Sequence, residues 1–163
     1  MSDMQDTPLT GYVLHGQPGG FVHRNGPVYV KYEDRSSTLQ LTVGPEHTNA
    51  AGIASGGLMM MLLDITLGTH VSAAVGFQGI CPTVQMSCNL ISAARIGDVL
   101  VGESEISRIA KSMVFATGHL SVEGRKVATA SGIFHLPPQA SRTRDGNGKD
   151  STLRTVSTGD VGS

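Results

Sequence analysis

An α+β fold, in which an antiparallel sheet wraps one long central helix, is predicted by three observations. The run GGLMMMLLDITLGTHVSAAV is far too long for a strand and is rich in Leu, Met and Ala, which favour helix. On both sides of it apolar residues recur with period two, the pattern of half-buried strands. The first two turns of the helical run are apolar all round, which a half-exposed surface helix is not, so sheet must cover it.

The elements follow in chain order. Val28, Val30 and Tyr32 alternate with Tyr29, Lys31 and Glu33; Leu39, Leu41 and Val43 alternate with Gln40 and Thr42. With Asp34-Arg-Ser-Ser37 between them, these runs predict a strand pair and its turn. The helix is expected at about 56–75. Beyond Gly76 and Gly79 the period returns to two, Val84, Met86, Cys88 and Leu90 alternating with Thr83, Gln85, Ser87 and Asn89, so a strand starts near Thr83. Three more strands are expected at about 98–108, 112–122 and 126–136, the last two joined at Glu123-Gly-Arg125. The predicted order is two strands, one helix and four strands. One helix leaves the sheet edges and part of its own surface bare, and self-association is expected to cover them.

A length of 163 residues fits one domain. Its expected bounds are 11–136, with a flexible segment at 1–10 and a disordered tail at 137–163. After Pro137-Pro138 the composition turns to Ser, Thr, Gly and Asp with few large apolar residues.

The formal net charge is −1, without the basic face that nucleic-acid phosphates require. The apolar stretch Leu58–Leu67 is interrupted by Asp64 and is shorter than the roughly 20 residues of a bilayer span. No membrane segment and no nucleic-acid partner are expected. The start, MSDMQDTPLTGY, lacks a basic head and apolar core, so a cytoplasmic setting is expected. The odd separation of Cys81 and Cys88 predicts opposite faces of a sheet and no disulfide. The histidines at 15, 23, 47, 70, 119 and 135 have no zinc-ligand spacing, and no metal site is expected.

Asp64 carries the most chemical information. A lone carboxylate among apolar neighbours at every helical spacing needs a partner or a cavity. It is either a structural group bonded to a neighbouring element or part of a site. The polar, glycine-rich segment from His47 through Asn49 and Gly52 to Ser55-Gly56-Gly57 leads into the helix. Backbone N–H groups at that end point outward with partial positive charge and suit a developing oxyanion; adjacent glycines let a ligand approach the backbone. The bland alternative is that Ser55 caps the helix and the glycines permit close packing. Gly57 and Asp64 are seven positions apart, about 10 Å by the helical rise. A carbonyl at one Gly57 would therefore meet the Asp of a second copy.

These residues, Asn49, Gly52, Ser55-Gly56-Gly57 and Asp64, resemble the N-x-x-G-x-x-H-G-G-x₆-D signature of hot-dog thioesterases of the phenylacetate-pathway and 4-hydroxybenzoyl-CoA type. The later segment PTVQMSCNLISAARIGD is similar to the strand and S-P-A-[RK]-x-G-D turn of that family, and the likeness runs through about residues 25–136. The resemblance implies a hot-dog fold, commonly a homodimer or homotetramer, and hydrolysis of an acyl-CoA thioester to acid and CoA. It implies Asp64 as base or nucleophile, the Gly57 N–H as the group that polarises the carbonyl, and Asn49 and Thr83 as positioning groups. Ser55 stands where the family has histidine and is expected, with Gly56, to border the substrate.

Among the basic residues Arg95, Arg108, Lys111 and Arg125, the resemblance points to Lys111 and Arg95 for the CoA phosphates; exposed Lys and Arg are otherwise ordinary surface. No cofactor is implied, since CoA is part of the substrate. Two rivals stand beside this reading. An enoyl-thioester hydratase would need an Asp-x₄-His pair, and no Asp precedes His47 at that spacing. A non-catalytic acyl-CoA-binding protein would bind without turnover.

Overall fold

Residues 10–138 are described by the computed structural model of the chain. The segments expected to be flexible, 1–10 and 137–163, lie almost wholly outside that range. The alternating runs become strands and the long apolar run a helix: β1 (Tyr12–His15), α1 (Phe21–Arg24), β2 (Val28–Glu33), β3 (Ser36–Thr42), α2 (Gly56–Val75), β4 (Thr83–Leu90), β5 (Val99–Ile109), β6 (Met113–Val122) and β7 (Arg125–His135), with a 3₁₀ turn at Pro45–His47. The strands form one seven-stranded sheet in the order β1-β2-β3-β5-β6-β7-β4. Every neighbouring pair is antiparallel. Among the described residues three strands, not two, precede the central helix. The missed β1 is a four-residue edge strand, and its Val13 and Leu14 are both more than half exposed, so no buried-exposed alternation marks it.

Helix α2 ends where Gly76 takes the left-handed conformation at φ +66°, which glycine adopts without a Cβ penalty. By length and composition alone α2 could cross a membrane. Its packing assigns it instead to the core: Leu62, Leu63, Leu67 and Val71 have essentially no exposed surface and lie against the inner face of the sheet. That face carries small residues where the helix crosses, among them Ala116, Gly118, Ala130 and Gly132. At Gly118 an added Cβ would sit 2.8 Å from the Glu103 carbonyl oxygen and 3.0 Å from Leu67. Backbone cannot yield as a flexible side chain can, so Gly118→Ala should destabilise the fold by about 1–3 kcal/mol in urea unfolding. Unchanged stability would mean that helix and sheet have slack at this crossing.

One irregularity re-aims side chains at the sheet edge. Thr83 pairs with Phe134 and Gln85 with Ile133, so Val84 is an extra residue, a β-bulge. Strict alternation would set Thr83 on the face opposite Met86 and Cys88. The bulge reverses the parity, and Thr83 turns toward α2 along with them. The expectation that the two cysteines face opposite ways fails as well: Cys81 precedes the strand, and both thiols, unbridged, pack against the same core.

Candidate active site

The loop before α2 is built from its own hydrogen bonds. His47 is buried; its Nδ1 accepts the Gly44 N–H at 2.8 Å and its Nε2 lies 3.3 Å from the Gly26 carbonyl. Asn49 folds the segment back on itself. Its side-chain oxygen accepts the Ala51 N–H at 2.9 Å, its backbone N–H donates to the Ile53 carbonyl and its carbonyl accepts the Gly52 N–H. Gly52 sits at φ +70°, where glycine is favoured. Asn49 thus shapes the loop that presents the helix start.

Ser55 occupies the N-cap position but makes no side-chain cap bond. The first helical bond runs from the Met59 N–H to the Ser55 carbonyl, so the N–H groups of Gly56, Gly57 and Leu58 precede the hydrogen-bonded ladder. Gly57 is exposed, and a Cβ built on it would have only the Ser55 hydroxyl within 4 Å, at 3.8 Å. The helix start is therefore an open patch of donors at the positive end of a 20-residue helix dipole.

Two turns along α2, Asp64 is partly exposed and its Oδ1 accepts the Thr83 hydroxyl at 2.7 Å. The carboxylate lost among apolar residues in the sequence thus has its partner at a sheet edge, brought there by the bulge at Val84. Cys88 faces the same region: burial pushes its thiol up, and the Asp64 carboxylate pushes it further in the same direction. A thiol held protonated is a slow nucleophile. In a Cys81→Ser background, Asp64→Asn should move the pH profile of Cys88 alkylation to lower pH; an unmoved profile would mean that Asp64 carries no charge near Cys88.

Beside the Asp64–Thr83 pair opens a cavity of about 770 Å³. It is lined along α2 by Asp64, Gly68, Ala73 and Gly76, and by Phe77, Ile80, Tyr32 and His15 from the neighbouring segments. The β2–β3 turn is pinned over the helix end by Arg35, whose guanidinium donates to the Ala74 carbonyl at 3.1 Å from Nε and also through Nη2. Ser37 and Thr69 hydroxyls meet at 2.8 Å below it. Burial lowers the His15 pKa and raises that of Tyr32, so both are neutral at pH 7.

The basic residues divide. Arg95 lies in the Ser92–Asp98 turn, whose backbone bridges to Ile53 and Ala54, two residues before the helix start. Arg125, not favoured in the sequence, shares that corner through its bond to the Ser92 hydroxyl. Lys111 lies beyond the other end of β5, an 11-residue strand about 35 Å long. One copy of the chain does not bring Lys111 and Arg95 together. The sequence also gave no sign of the cavity, since Tyr32, Gly68 and Phe77 stand in three separate segments and carry no motif.

The pattern of the thioesterase superfamily matches residues 51–129, which include the helix start, Asp64 and Thr83. A Pseudomonas aeruginosa protein, PA0474, named as an esterase by inference, is 32% identical over 113 residues, spanning 69% of this chain and 84% of that protein. Among solved structures, zebrafish thioesterase superfamily member 2 superposes with a TM-score of 0.65 at 22% identity, over 73% of this chain and 88% of its own. A hypothetical thioesterase of Streptococcus pneumoniae, solved with coenzyme A, gives a TM-score of 0.56 at 21% identity, over 66% and 86%. These likenesses bear out the hot-dog fold expected from the signature, one long helix against an antiparallel sheet. With the match to PA0474 and the family pattern across the site, the chain belongs to the thioesterase superfamily.

Proposed function

We propose that the protein hydrolyses acyl-CoA thioesters to free acid and CoA. The observation that carries this reading is the Asp64–Thr83 hydrogen bond at 2.7 Å, in the lining of a cavity large enough for an acyl group. Thr83 holds Oδ1, which leaves Oδ2 outside that bond for the reaction. There the carboxylate takes a proton from water as its oxygen adds to the carbonyl carbon, or adds to that carbon itself. The carbonyl oxygen becomes an oxyanion held by the Gly57 N–H, with Ser55 and Gly56 beside it; collapse breaks the C–S bond and CoA leaves as a thiolate that takes up the proton, and on the second route water then hydrolyses the acyl–Asp64 anhydride to the free acid. Asn49 contributes by fixing the loop. The CoA-bound Streptococcus pneumoniae structure supports CoA as the carrier, and Arg95, in the turn bridged to Ile53, is the candidate for its phosphates. Lys111 reaches a CoA only if that CoA belongs to another copy. No cofactor enters the reaction, and its setting is the cytoplasm.

The site is completed by a second copy of the chain. Gly57 and Asp64 of one helix are about 10 Å apart by the helical rise, too far to act on one carbonyl. Among the described residues, edge strand β4 pairs only with β7, and Met60, Val84, Leu90 and Ile91 around it are 45–57% exposed. Pairing of this edge with its twin covers these residues and brings the Asp64 of one copy toward the Gly57 of the other; a dimer is the minimum assembly and a homotetramer a pair of such dimers. The test is thiol release from acetyl-, hexanoyl-, decanoyl- and phenylacetyl-CoA, with the assembly state measured by light scattering. Binding of these esters without release by the wild-type protein would replace hydrolysis with the acyl-CoA-binding reading.

A further inference from the structure

The cavity beside Asp64 poses a question that the reaction alone does not answer, namely what decides which acyl groups enter it. Gly68 lies in the middle of α2, where glycine is the poorest helix former after proline. Its backbone does not require glycine, since it is not among the positive-φ residues. Nor does packing: an added Cβ would meet only the Phe134 ring, at 3.6 Å, an ordinary contact. The close-packed Gly118 is the opposite case. A mid-helix glycine required by neither conformation nor packing keeps a surface clear.

That surface belongs to the cavity. Gly68 lies one turn after Asp64 and lines the same space. Its would-be Cβ points toward Phe134, the cross-strand partner of Thr83, so it sits beside the Asp64–Thr83 pair. An acyl chain whose carbonyl is at Asp64 passes Gly68 first. Further on, Ala73 lines the cavity nine residues beyond Asp64, about 13 Å by the helical rise.

We propose that the acyl group lies along α2 from Asp64 toward Gly76, and that Gly68 is the specificity-determining residue that admits acyl groups larger than acetyl, with Ala73 setting how far they extend. This assignment rests on the thioesterase reading for its chemistry, and its test separates the two. The experiment measures kcat/KM with acetyl-, hexanoyl- and decanoyl-CoA for wild type, Gly68→Ala, Gly68→Val and Ala73→Leu. Calorimetric binding of free hexanoate and decanoate is measured in parallel, and thermal unfolding reports the fold. Gly68→Ala should melt no lower than wild type.

Gly68→Val should lower both the hexanoyl-to-acetyl and decanoyl-to-acetyl ratios at least tenfold, and Ala73→Leu should lower the decanoyl ratio alone. Unchanged ratios in folded variants overturn the assignment while leaving hydrolysis standing. If no thioester is hydrolysed but the wild type binds decanoate and Gly68→Val does not, the cavity assignment stands and the hydrolytic reading falls. If the wild type neither hydrolyses a thioester nor binds either acid, both fall.

Discussion

Asp64→Asn should lower kcat/KM for the best acyl-CoA at least about 10²-fold, the usual contribution of a positioned base or nucleophile. The replacement is close to isosteric. Its amide oxygen can still accept the Thr83 hydroxyl that now reaches Oδ1 at 2.7 Å, so fold and strand register should survive, with stability within about 0.5 kcal/mol of wild type. What it removes is the anionic oxygen, which both routes require, since an amide neither takes a proton from water nor adds to a thioester. Turnover near the wild-type rate would remove Asp64 from the mechanism and leave its bond to Thr83 a structural tie between α2 and β4.

Gly57→Pro should cost about 10²–10³-fold in kcat, the loss found when one oxyanion donor is deleted. The second position of a helix suits this deletion. Proline's fixed φ is compatible with the first turn, and the Gly57 N–H precedes the first helical bond, so α2 gives up no ladder bond. Gly57→Ala is the control: its Cβ has open space and it keeps the N–H. An inactive proline variant with an active alanine variant assigns the effect to the amide. Equal loss in both would mean that the substrate fills the space beside Gly57.

The same pair of variants tests the shared site. If Asp64 of one copy works with Gly57 of the other, unfolding and reassembling Asp64→Asn with Gly57→Pro in equal amounts builds mixed dimers with one intact site each. Activity should return to roughly a quarter of wild type under random pairing. No recovery, with mixed dimers shown to form, would place Gly57 and Asp64 of a single copy in each site.

Much of this protein is decided locally and could be read from its sequence. A run such as LMMMLLDITL cannot satisfy its apolar surface except as a buried helix, and the alternation of Leu39, Leu41 and Val43 fixes which side of β3 meets it. The thioesterase signature likewise lies within the 16 residues from Asn49 to Asp64, because the loop, the helix start and the carboxylate belong to one continuous segment. Tertiary structure decided the rest. The partner of Asp64 depends on an extra residue at Val84, and bulges leave no mark in an otherwise regular alternation. Strand β1 exists because β2 offers it hydrogen bonds, not because its own four residues are apolar on one side. The cavity is assembled from β1, β2, α2 and the segment leading to β4, and the role of Gly68 depends on Phe134 standing opposite it, a contact across 66 positions of chain that no local pattern encodes.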